Sequence, residues 1–151
     1  MYYYLVMILV AGGTGVLGSA IARRLIAGGE QVRVLTRRPE RAQSLEEVGA
    51  EVVTGDLRDR RALDAACGGA THVISTANAF VGTGEESVQA VDERGNRQLI
   101  DAARAAGVRQ FVFTSALVPD TYRAIDYFAA KVATEEYLRA SGLTWTILRP
   151  T

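Results

Sequence analysis

The stretch Ala11-Gly12-Gly13-Thr14-Gly15-Val16-Leu17-Gly18 spaces three glycines, at 12, 15 and 18, between an apolar run and a segment of helical period. Each glycine has a physical use there. Gly12 permits a tight turn, Gly15 removes a side chain so that backbone amides can approach a pyrophosphate, and Gly18 lets the helix pack close to the strand. The N-terminus of the helix that follows offers unpaired N–H groups and the positive end of its dipole. Thr14, Val16 and Leu17 therefore join the three glycines as candidate cofactor contacts. A glycine pattern alone is weak; its place between a buried strand and an amphipathic helix is what gives it meaning. The competing reading is a glycine-rich turn without a ligand.

Working outward, apolar runs of strand length alternate with helical periods. Leu5–Val10 is a continuous apolar run, as a parallel strand covered on both faces requires. Leu17, Ala20, Ile21 and Leu25 follow at helical spacing, and Gly28-Gly29 stop that helix. Gln31–Thr36 reads as a second strand, with a helix from Pro39 to about Val48. Glu51–Thr54 is a third strand, Arg60 to Cys67 a short helix, and Thr71–Thr76 a fourth strand. Val88, Val91, Leu99, Ile100 and Ala103 mark a long helix closed by Gly107. Gln110–Thr114 gives strand five, Phe128–Leu138 a helix, and Leu143–Leu148 strand six. Such alternation predicts an α/β fold: a doubly wound parallel sheet of Rossmann type over residues 1–151, with six strands in order 3-2-1-4-5-6 and the crevice above strands one and four.

Composition removes several functions. The chain has 151 residues, 48% apolar and 23% charged, with seventeen basic residues balanced by seventeen acidic ones. Zero net charge leaves no electrostatic case for nucleic acid or an anionic membrane as partner. One cysteine, Cys67, and one histidine, His72, leave no disulfide framework and no metal cluster, and a reduced, cytoplasmic setting is the default. The apolar N-terminus runs into glycines too soon to span a bilayer, and Met7 is itself a natural start, so residues 1–6 read as an extension.

AGGTGVLG, followed by VLTRRP, GDLRD, DAARAAGV, FVFTSA and EEYLRASGLTWTILRP, resembles the atypical short-chain dehydrogenase/reductases, and among them the NmrA-like NAD(P)-binding proteins. The resemblance runs through essentially the whole chain. It implies an oxidoreductase that reduces a carbonyl, enone or quinone-like group, or else a nucleotide-binding regulator or assembly subunit with a protein partner and no turnover.

Where an NAD site places an acid at the end of strand two, this chain has Thr36-Arg37-Arg38. Guanidinium groups suit a 2′-phosphate, so NADP(H) is expected over NAD(H), with NAD(H) still possible. The alternative is that Arg37 and Arg38 are solvated residues at a helix start. By resemblance, Asp56 accepts from the adenine amine and Leu57 covers the ring; capping of the next helix is the other role open to Asp56. The resemblance also passes Ala77 and Asn78 under the cofactor ribose.

Tyr127 and Lys131 have the YxxxK spacing of active short-chain dehydrogenases, which puts both on one helix face. The resemblance makes Tyr127 the proton donor and gives Lys131 two roles, binding the nicotinamide ribose and lowering the phenol pKa. Lys131 is the only lysine among seventeen cationic residues, which points to a need for a compact ammonium. Tyr127 and Phe128 can equally form an aromatic core pair. The family's serine falls at Ser115 or Ala116 according to register, and its helical asparagine at Asp92. Ser115 can also cap the next turn. His72 reads as a surface or edge residue, Cys67 as packed at a helix end, and Trp145 as core. Relatives of this kind usually continue past the RP at Arg149-Pro150. The C-terminal substrate part is therefore expected to be missing, and the 151-residue form to turn over little. The substrate has no signature in the sequence.

Overall fold

The computed structural model describes residues 6–78 and 89–150. The strands are β1 (Met7–Ala11), β2 (Gln31–Thr36), β3 (Glu51–Thr54), β4 (His72–Ser75), β5 (Gln110–Thr114) and β6 (Thr144–Leu148). They form one parallel sheet in the order β3-β2-β1-β4-β5-β6, the expected topology. The helices are α1 (Val16–Ala27), α2 (Gln43–Glu46), α3 (Arg60–Cys67), α4 (Asn96–Ala105) and α5 (Asp126–Ala140). A π-helical segment, Gln89–Gly95, leads into α4. Of the expected extension over 1–6, all but Val6 lies outside the described residues, as does Val88.

The continuous apolar run of β1 is explained by burial on both faces. Leu9 and Ala11 enter a core with Leu63, Leu99, Phe111 and Leu138. Ile8 and Val10 enter the opposite core with Ala22, Val32, Val34 and Leu45. Helices on both sides are needed to close two such faces. Among the described residues no helix is long and apolar enough to cross a membrane.

Four expectations are corrected. In α1 the buried positions are Gly18 and Ala22, while Leu17 is exposed, because close packing on the sheet selects the small residues. The segment from Pro39 to Val48 is a 3-10 turn, Pro39–Arg41, followed by the short α2. Trp145 is 41% exposed rather than core, since β6 is a sheet edge and its side chain meets the Arg139 guanidinium at 5.5 Å. His72 is half-buried on the interior strand β4, its Nδ1 2.8 Å from the Thr71 hydroxyl, and so is not at an edge. Cys67 is buried at the end of α3, as expected, and burial pushes its thiol up to about 12.

Candidate functional site

A cleft of about 340 Å³ opens at the C-terminal ends of β1, β2 and β4. It is lined by the glycine loop, by the arginines after β2 and by Gly55, Asp56, Leu57, Thr76, Ala77, Asn78 and Val91. This is the crevice where the sheet order reverses, the position at which such folds take ligands.

The three glycines of the loop have different structural uses. Gly12 has φ +79°, and a Cβ there would lie 2.8 Å from the Ala77 nitrogen. A Cβ on Gly18 would lie 2.2 Å from the Gly12 carbonyl oxygen, so Gly18 is required by packing. Gly15 differs. Its backbone is extended, and an added Cβ would approach only the Gly12 oxygen, at 3.3 Å. What a side chain at Gly15 fills is the cleft itself. Gly15 caps α1 without a side-chain bond, and the first helical bond runs from Ser19 N–H to the Gly15 carbonyl. Gly15 N–H donates to the Gly12 carbonyl at 3.0 Å, so the first-turn amides of Val16, Leu17 and Gly18 are the ones without an intrahelical acceptor, the kind of donor a phosphate satisfies. Val16 and Leu17 are exposed, and with Gly18 they are not among the residues lining the cleft, which takes Gly12, Thr14 and Gly15 from this loop. The Thr14 and Thr36 hydroxyls meet at 3.0 Å and tie the loop to β2; Thr36 also accepts from Arg38 N–H at 3.0 Å.

Arg37, Arg38 and Arg41 line the β2 end of the cleft. Asp56 is the carboxylate in this cleft, and Arg58 holds it from both sides: Nε donates to Oδ1 at 2.8 Å and Nη2 to Oδ2 at 2.6 Å. Arg37 Nη1 stands 3.9 Å from the same Oδ2. The Arg58 hydrogen bond, against the cost of burial, holds the Asp56 carboxyl below its ordinary value. Helix capping is not its role. Asp59 caps α3, accepting from Arg61 and Ala62 N–H. Leu57 is buried beside it.

Lys131, Tyr127 and Ser115 are not among the residues lining this cleft. Lys131 is buried, its Nζ 2.9 Å from Asp92 Oδ1 and 3.5 Å from the Thr114 carbonyl. The ammonium also sits over the Phe113 and Tyr127 rings at 5.1 and 5.4 Å. Tyr127 is half-buried, edge-on to Phe128 at 5.3 Å between centroids. Its phenol is corrected in sign: burial, then the Asp92 charge, push its pKa above the ordinary value. The ammonium expected to lower it is ion-paired to Asp92.

Ser115 is buried at the end of β5 and caps no helix; its hydroxyl meets no partner in good hydrogen-bond geometry but lies close enough to Glu135 to help hold that carboxyl down. Burial alone would raise the Glu135 pKa. Hydrogen bonds from Arg149 and the nearby Ser115 hydroxyl dipole, with the Arg149 and Arg139 charges, outweigh it and lower the carboxyl. Arg149 Nε donates to Glu135 Oε1 at 2.9 Å, which ties the end of β6 to α5.

Asn96 was missed in the sequence. It is fully buried, accepts from Ser75 Oγ at 2.6 Å and donates to the Asp92 and Ala77 carbonyls. The available signal was a polar residue in helical phase with Leu99, Ile100 and Ala103. Arg58 was missed as well, because its contact depends on how the loop after β3 folds back.

A model of a protein family described as NAD(P)H-binding matches residues 12–151. The photosystem II assembly factor Ycf39 of Cyanophora paradoxa is 39% identical over 142 residues, covering 94% of this chain and 44% of the relative. A short-chain dehydrogenase/reductase superfamily protein from Agrobacterium tumefaciens with bound NAD superposes with a TM-score of 0.77 at 32% identity, over 95% of this chain and 48% of that one. The NADPH-dependent quinone oxidoreductase QOR2 of Escherichia coli, complexed with NADPH, gives 0.78 at 31% identity, over 95% and 48%. The chain thus spans about half the length of these relatives.

Proposed function

This chain belongs to the NAD(P)H-binding family, among the atypical short-chain dehydrogenase/reductases, and we propose that it binds NADP(H) in preference to NAD(H) as the cofactor half of an oxidoreductase. The observation that carries the preference is the β2 end of the cleft, where Arg37, Arg38 and Arg41 stand and Asp56 is engaged by Arg58. Guanidinium groups attract a 2′-phosphate, and a carboxylate already held by two hydrogen bonds repels it less. Gly12, Gly15, Gly18 and the start of α1 would hold the pyrophosphate, Leu57 the adenine face, and Ala77 and Asn78 the ribose.

Bound there, the dinucleotide supplies hydride to a carbonyl, enone or quinone-like acceptor. The chain's part is to bind, orient and protonate. Tyr127, whose phenol stays protonated above its ordinary range, is the proton donor in this reading. Lys131, on the same face of α5, holds the ribose with Asp92 as counter-ion. Ser115 is the other candidate catalytic residue, a hydroxyl at a strand C-terminus beside α5.

A second reading, a nucleotide-binding assembly or regulatory subunit without turnover, is favoured by the complete burial of Lys131 and by the likeness to a photosystem II assembly factor. Titration with NADPH and NADH, followed by a screen of carbonyls and quinones, separates the two. Tighter NADPH binding with turnover supports the reductase, tighter NADPH binding without turnover supports the subunit, and equal affinities remove the arginine argument.

A further inference from the structure

We propose that Asn96 is a positioning residue: its carboxamide joins the cofactor-facing segment after β4 to the turn that holds Lys131, and so sets the lysine relative to the dinucleotide. This rests on the dinucleotide reading above and deepens it.

The carboxamide is used at both ends. Oδ1 accepts from Ser75 Oγ at 2.6 Å, which anchors Asn96 to the last residue of β4. Nδ2 donates to the Ala77 carbonyl at 3.3 Å and to the Asp92 carbonyl at 3.0 Å. Ala77 lines the cleft, and its backbone also packs against Gly12 of the phosphate loop. Asp92 is the residue whose carboxylate holds Lys131. Its carbonyl accepts a second side-chain bond, from Thr134 Oγ1 at 3.0 Å, on the same helix as Lys131. One fully buried amide therefore spans from the cofactor loop to the backbone of the lysine's counter-ion.

The residue type matters. The site requires one acceptor and two donors in a plane, which a carboxamide supplies and a carboxylate, hydroxyl or aliphatic side chain does not. The π-helical segment matters too, because its wider turn departs from the regular ladder at Asp92, where side-chain donors reach the carbonyl. A buried network with its groups satisfied in this way is stiff. Losing Asn96 leaves Ser75 and Ala77 without that partner and frees the Asp92 turn to shift, carrying Lys131 with it.

Lys131 is the sole lysine, so isotope-labelled lysine gives one side-chain signal by nuclear magnetic resonance. In the wild-type chain the buried ammonium is protected from exchange, and its signal shifts when NADPH is added. Two neutral variants test the link: Ser75→Ala removes the anchor of Asn96 and leaves every Lys131 contact in place, and Asn96→Leu removes all three bonds. The expected result is loss or displacement of the protected Lys131 signal in both, with the NADPH-dependent shift lost while NADPH still binds. If Asn96→Leu does not fold, Ser75→Ala decides. A Lys131 signal identical to wild type, free and with NADPH, overturns the proposal. If the wild-type chain binds no dinucleotide, the functional reading fails by itself. The signal of the free variants then decides Asn96: displaced supports positioning, unmoved overturns it.

Discussion

Lys131 Nζ lies 2.9 Å from Asp92 Oδ1, and the two side chains are 2% and 0% exposed. A buried pair of this kind gains little over an apolar pair, but removing one partner strands the other charge away from water. Asp92→Asn and Lys131→Met should each cost about 3–5 kcal/mol in urea unfolding. The double variant should cost less than the sum, since it strands no charge. Additive costs would mean that the pair is not coupled.

Gly15 and Gly18 should separate binding from folding. Gly15→Ala presses only on the Gly12 oxygen, at 3.3 Å, and should cost less stability than Gly18→Ala while losing dinucleotide binding. Gly18→Ala meets the Gly12 oxygen and should lose at least about 1–3 kcal/mol of stability as well. Thermal unfolding beside NADPH titration checks both, and intact binding in Gly15→Ala would take the pyrophosphate away from this loop.

Arg37→Ala should weaken NADPH by about tenfold or more, the worth of a charged hydrogen bond, and leave NADH nearly unchanged. Isothermal titration with both nucleotides reads the difference directly. Equal losses would remove Arg37 from the 2′-phosphate site.

The Tyr127 phenol is raised by burial and by the Asp92 charge, so it should remain protonated through neutral pH and past its ordinary value of about 10. Its phenolate should therefore form at higher pH than that of a free tyrosine, read as the difference between the alkaline absorbance titrations of wild type and Tyr127→Phe. Replacing Asp92 with Asn removes a negative neighbour and should move that titration down. In any established turnover, Tyr127→Phe should cut the rate with little change in NADPH affinity. An intact rate would make Tyr127 a packing partner of Phe128.

Much of the fold was legible in local pattern. The apolar run of β1 announces burial on two faces, and the three glycines announce a turn, an opening and a close contact, because each of these needs only neighbouring residues. The arginines after β2 were legible for the same reason: they follow a strand end directly. The sequence by itself thus determined the six-stranded parallel sheet, the glycine loop after β1 and the basic end of the cleft.

Only the tertiary structure decided which polar groups meet. Asp92 reaches Lys131 from another helical segment, and Asn96 spans Ser75, Ala77 and Asp92. Tyr127 consequently has its pKa raised, although a lysine one helical turn away suggested the reverse. The physical reason is burial. Periodicity records which face of an element is apolar, but a charge inside a protein is governed by whatever counter-charge the packing of distant elements brings within hydrogen-bond reach.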